Sequence, residues 1–155
     1  SAFDTPQRRG TATSLDISRE LKHEDYYNLA NFLQLCNEAW GAEYANRKLY
    51  NSLNMRLCMW MYRRVVLNHN NNNVDGKNIG WTKFTPALFK KCLLSLSASG
   101  NYIAWLSGRT FSDRDRGAAF DRIKLIFSRR VKEETSKTAR LPQPDWSPQS
   151  TNIAV

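Results

Sequence analysis

Only three cysteines (Cys36, Cys58, Cys92) and two histidines (His23, His69) occur among the 155 residues, and none of them stand at the short spacings that hold zinc. An odd number of cysteines without C-x-x-C pairing also argues against a disulfide framework, so the three thiols are expected to be small core residues. Long apolar runs are missing. The longest are a few residues, against the roughly 20 that a membrane-spanning helix needs, and the opening segment does not resemble a secretory leader. The expectation is a soluble, intracellular protein with no membrane partner. G-x-x-x-x-G-K-[ST], G-x-G-x-x-G and G-x-S-x-G are all absent, so phosphate-loop and nucleophile-elbow chemistry lack their first requirement. Asp113, Asp115 and Asp121 would be the only carboxylate cluster for a magnesium-dependent nuclease. Asp113 and Asp115 diverge on a helix, and Arg114, Arg116 and Arg122 stand among the three, so capping and ion pairing explain them better. The chain is therefore expected not to be an enzyme and to need no cofactor or metal.

Acidic residues are scarce where it matters. The chain carries 23 Lys and Arg against 14 Asp and Glu, net +9. Residues 1–46 are net −3, residues 47–140 are net +13, and residues 141–155 hold only Asp145. So concentrated a positive field attracts polyanions, and arginine suits phosphate because its planar fork donates two parallel hydrogen bonds.

Strict two-residue alternation is nearly absent and no repeat recurs at a fixed period, whereas three- and four-residue apolar steps are common, which predicts an all-α fold of about four to six helices. Residues 1–14 have no apolar periodicity and read as an extended N-terminal arm. Residues 15–135 form the helical core, and residues 136–155, with Pro142, Pro144 and Pro148, read as an extended C-terminal tail in which Trp146 is the only large anchor. Within the core a helix is expected from about Glu24 to Trp40, ended by Gly41, and a longer one from about Glu43 to Asn68 with a basic polar face. The asparagine-rich residues 68–80 are expected to be a loop. Thr85 and Pro86 supply a hydroxyl cap and an N1 proline for a helix to about Ser97, closed by Gly100. One or two turns follow over Tyr102–Leu106. A last long helix opens at Ser112, with Asp115 where a capping-box acid would stand.

Binding residues follow from this layout. Arg56, Arg63 and Arg64 on one helix, Lys90 and Lys91 on another, and Arg122, Lys124, Arg129 and Arg130 on the last would form one phosphate-binding groove if those helices pack side by side. Tyr62, Trp81, Phe84, Tyr102 and Trp105 lie among or beside them as aromatic platforms for unpaired bases, which favours single-stranded nucleic acid over duplex.

One stretch is more specific. Trp105 to Phe111 (WLSGRTF), six mostly polar residues (SDRDRG), and Ala118 to Asp121 (AAFD) together resemble the coat proteins of flexible filamentous plant RNA viruses. A fainter echo runs from Met55 to Cys58 (MRLC) through Tyr62 and Val65 to Asn68. After Asp121 the family continues with two aromatics, where this chain has Arg122 and Ile123. The resemblance implies a helical core whose arms reach neighbouring subunits. It implies genomic RNA held by its phosphates in an inner groove, and location in the virion, with host cytoplasm as the place of assembly. It further implies that Asp121 pairs with Arg56, with Phe120 as packing neighbour, and that Phe3 and Trp146 on the arms dock on other copies in an open helical homopolymer. The alternative expectation is a non-assembling RNA-binding accessory protein, such as a viral silencing suppressor.

Overall fold

The computed structural model describes residues 23–67, the residue pairs 73–74 and 77–78, residues 84–136, and Pro144 and Trp146. The N-terminal arm, with Phe3, and Trp81 lie outside the described residues.

The expected all-α architecture is present. Helix α1 spans His23–Trp40 and stops at Gly41, whose φ of +61° a side-chain-bearing residue rarely adopts and whose N–H bonds back to the Asn37 carbonyl (2.8 Å). The single helix expected over 43–68 is three pieces instead: a 3-10 helix Tyr44–Tyr50, helix α2 Ser52–Tyr62, and a π-helical stretch Arg63–Leu67. The break is at Asn51. Its backbone is extended, and its side chain caps α2 by accepting from the Asn54 N–H (2.8 Å), so apolar periodicity runs across a junction that a side-chain cap restarts. The asparagine-rich loop contains one short antiparallel ladder, β1 (Asn73–Val74) with β2 (Lys77–Asn78).

Helix α3 is Pro86–Ser97, opened as its sequence predicts: Thr85 Oγ1 accepts from the Leu88 N–H (3.1 Å) and Pro86 sits in the first turn. Gly100 does not close it. The C-cap is Ala98, and Gly100 is instead the first residue of α4 (Gly100–Trp105), which Ser99 caps through the Tyr102 N–H (3.3 Å). Helix α5 is Asp113–Ser136. Ser112 Oγ accepts from the Asp115 N–H (3.2 Å), but the Asp115 carboxylate does not reciprocate as a capping box would; it turns to the preceding loop.

Helix α3 lies between α1 and α5, and α2 packs on α5. Eight of the eleven residues of α2 are buried, as expected of a helix apolar nearly all round. A run of touching rings passes through the middle: Tyr62 to Phe89 (5.3 Å between centroids), Phe89 to Phe127 (5.5 Å), Phe127 to Trp146 (5.6 Å) and Trp146 to Phe84 (5.6 Å). Such pairs add about 0.5–1.5 kcal/mol each beyond the apolar area they bury. The polar groups inside are paired. Trp40 Nε1 donates to the Leu93 carbonyl (2.8 Å). Tyr102 Oη donates to Asn54 Oδ1 (2.6 Å), and Asn54 Nδ2 donates to the Leu49 carbonyl (2.7 Å), tying α4 to α2.

All three cysteines are buried and free, as expected. Burial pushes the Cys36 and Cys92 thiols up to about 12, and Cys58 well above its ordinary value. Such thiols are protonated and unreactive in the folded chain.

Expectations for the aromatic residues also fail here: Phe84 and Tyr102 are buried (1% and 3% exposed) and offer no face to a base, and neither do Trp146 and Tyr62 stand outward. Trp146 is not an outward anchor for another subunit: it is buried (2% exposed) against Phe84 and Phe127, so the chain at this point is folded onto its own core. An indole with two aromatic neighbours within reach gains more from its own core than from solvent. Tyr62 is not a stacking platform. It is buried among Phe32 and Phe89, because the stripe that placed it beside the arginines also turns it inward.

Candidate nucleic-acid interface

The segment Trp105 to Asp121 forms one piece of surface around the seven-residue turn between α4 and α5. Gly108 permits the turn with φ +75°. Immediately after it, Arg109 folds back: its Nε donates to the Trp105 carbonyl (2.8 Å) and its guanidinium lies 4.3 Å from the Trp105 ring centroid. From α5, Arg122 reaches the same ring at 4.5 Å. Two cations on one indole are therefore within about 9 Å of each other. Phe111, six residues on, is flanked in the same way, by Arg56 of α2 at 4.7 Å and Arg116 of α5 at 5.0 Å. Ring quadrupoles favour cations over their faces, by about 0.5–1 kcal/mol at exposed sites, and hold long side chains in place against their rotamer entropy.

Asp115 organises this turn. It is buried (5% exposed), accepts from the Thr110 N–H (3.3 Å), and pairs with Arg109 Nη1 (3.4 Å). Asp113, by contrast, is exposed and pairs with Arg116. The carboxylates thus serve capping and arginine placement, and among the described residues no His, Cys, Asp and Glu group could hold a metal ion.

Arg56 and Arg122 keep their donors unspent. Each lies on a ring, and neither forms a hydrogen bond or ion pair with a described residue. The expected Arg56–Asp121 pair does not form: Arg56 is drawn to Phe111, and Asp121 is an exposed residue of α5 outside any ion pair with a described residue. Phe120 packs edge-on to Trp60 instead (5.9 Å), which joins α5 to α2. Trp105 is half-buried and stacks near-parallel on the buried Tyr102 (6.1 Å, 19°), so its faces serve Tyr102 and two arginines rather than standing open to a base.

The remaining basic residues divide. Lys90 pairs with Glu38 (3.2 Å), Lys91 with Glu134 (2.8 Å), and Arg130 with Glu134 (3.0 Å) and Ser95 Oγ (3.1 Å), so these three cations are balanced by carboxylates rather than aligned in one uncompensated trough. Beside Lys90, Glu38 is held below its usual range, first by that hydrogen bond and then by Gln34. Arg63 and Arg64 are half-buried on the π-helical stretch and both are engaged in interactions. Lys124 is half-buried and Arg129 exposed on α5. Seven residues separate Arg122 from Arg129, two turns or about 10 Å along one helix face, with the half-exposed Leu125 (52%) between them.

The single trough expected from the sequence is thus replaced by a compact cation–aromatic cluster at the α4–α5 turn and a sparser basic stripe along α5. Arg109, Arg116 and Phe111 belong to the cluster although charge patterning alone does not mark them as binding residues. The signal for one was present, since Trp105 and Arg109 stand four apart. Searches against protein-family models, curated proteins and solved structures find no match for this chain. The coat-protein resemblance rests on residues 105–121, and those residues supply both rings and two of the four arginines of the cluster, Arg109 and Arg116.

Proposed function

We propose that the chain is a viral coat or nucleocapsid protein that binds single-stranded RNA through its phosphates and polymerises helically along it. One observation carries the RNA-binding half: Arg56, Arg109, Arg116 and Arg122 meet in pairs on Trp105 and Phe111, two rings of the segment that resembles the coat proteins. Arginines held over rings arrive oriented, and Arg56 and Arg122 have unspent donors for phosphate oxygens. Nothing in the cluster reads bases, which suits a protein that coats any sequence. Each phosphate bound to a single strand should add about −0.7 to the slope of log affinity against log salt.

For assembly, the support is the exposed apolar side chains of α1: Tyr26 (51%), Tyr27 (63%) and Leu33 (44%) stand open where a neighbouring copy would cover them. The cell compartment that follows is host cytoplasm during assembly, and then the particle. Negative-stain microscopy of the full chain with and without RNA tests this: threads or rods that appear with RNA support it, and monodisperse monomers at every salt and RNA concentration refute it.

A second reading, a non-assembling RNA-binding accessory protein, is favoured by the placement of Trp146 in the chain's own core. Deleting residues 1–14 discriminates the two. A coat protein loses assembly and keeps its affinity for short RNA, whereas an accessory protein is unchanged in both.

A further inference from the structure

The corner between α3 and α4 faces α5 across a groove of about 490 Å³, away from the cation–aromatic cluster. That volume lies within the roughly 300–1,000 Å³ of small-ligand sites. Its walls combine four chemistries. Arg129 and Arg130 supply guanidinium groups, Glu133 a carboxylate that a bound phosphate must lie away from, Ser95 and Asn101 neutral polar groups, and Ile126 apolar surface. Arg130 is fixed by Glu134 and by Ser95 Oγ (3.1 Å), which uses two of its five N–H donors. Arg129 and the Asn101 amide form no hydrogen bond or ion pair with a described residue, and an atom added at Gly100 would meet nothing within 4 Å. An oriented arginine, a second unengaged one, a free amide and an apolar wall in one open groove match the parts of a nucleotide.

We propose that this groove binds one nucleotide, with its phosphate on Arg129 and Arg130 and its base against Ile126 beside Asn101. The amide can both donate to and accept from a base edge, while Ile126 covers a base face. The ligand chemistry is a nucleoside monophosphate unit, either free or as one residue of a strand. If it belongs to a strand, the inference rests on the RNA-binding reading and adds to it a second foothold, about two helical turns along α5 from Arg122.

Calorimetric titration of the full chain with uridine monophosphate, with inorganic phosphate, and with a labelled oligouridylate measures both sources. The expected result is one-to-one binding of the mononucleotide in the millimolar range, with phosphate alone about tenfold weaker. Arg129→Ala, at an exposed and unpaired position, should keep the fold and weaken mononucleotide binding about tenfold, and Asn101→Ala about threefold. Arg122→Ala should weaken the oligonucleotide and leave the mononucleotide unchanged. Equal binding of mononucleotide to wild type and Arg129→Ala overturns the proposal, as does no mononucleotide binding at all. If the oligonucleotide still binds in those cases, the groove is wrong and the RNA-binding reading stands. Mononucleotide binding that needs Arg129, in a chain with no affinity for the oligonucleotide, supports the groove and removes the coat-protein reading.

Discussion

Replacing Asp115 by Asn separates oriented arginine from bulk charge, because the two make opposite forecasts. The substitution keeps an oxygen able to accept from the Thr110 N–H and removes the charge that holds Arg109 Nη1 at 3.4 Å. It also raises the net charge of +9 by one unit. If attraction of RNA depended on total charge, affinity would rise. If it depends on arginines held over Trp105, affinity falls, because Arg109 must then be ordered on binding at a cost of about 0.5–1.5 kcal/mol, or about two- to tenfold. Stability should fall by about 1–2 kcal/mol. That lies between an exposed pair and a broken buried one, since the Arg109 side chain is 37% exposed while that of Asp115 is 8% exposed. Fluorescence polarisation of a labelled oligouridylate at about 50 and 200 mM salt is the assay, with Asp121→Asn as the charge-matched control. Asp121 is exposed and outside any ion pair with a described residue, so its variant should bind equally well or slightly tighter. Equal tightening by both variants would refute the positioning argument.

Three further outcomes follow from the packing. Trp146→Ala should cost about 3–5 kcal/mol in urea unfolding, as expected for a 2% exposed indole between Phe84 and Phe127; an unchanged midpoint would return Trp146 to the outside of the molecule. Tyr102→Phe removes the 2.6 Å bond to the buried Asn54 oxygen and should cost about 1–3 kcal/mol, measured the same way, with no loss of helicity by circular dichroism. The thiols give a pH dependence whose sign is fixed. Burial raises the folded pKa of Cys36 and Cys92 from 9.0 to about 12, so stability is complete below about pH 9 and falls as pH rises towards 12. Each thiol contributes up to about 1.4 kcal/mol per pH unit within that window. Urea melts at several alkaline pH values should show this decline, flattened in Cys92→Ala, and a slope identical in the variant would sink the assignment.

What could be read from the residues alone was whatever local rules govern. Helical periodicity, the Thr85 and Pro86 start, the Gly41 stop and the burial of three cysteines depend on neighbours within a turn or two, and each is where the pattern puts it. The Asn51 restart was hidden because apolar spacing continues across it. Partnership was decided by tertiary structure. Arg56 and Asp121 are complementary on paper, but the packing of α2 on α5 brings the guanidinium to Phe111 instead. Lys90, Lys91 and Arg130 look as available in sequence as Arg122 does, yet Glu38 and Glu134 reach the two lysines across helix interfaces and Glu134 also holds Arg130 one turn away on α5, while Arg122 meets an indole. Trp146 stands among three tail prolines, Pro142, Pro144 and Pro148, and still lies in the core. An arginine's charge is a property of its residue, but whether that charge meets a carboxylate, a ring or a phosphate depends on residues tens of positions away, which only the fold brings within reach.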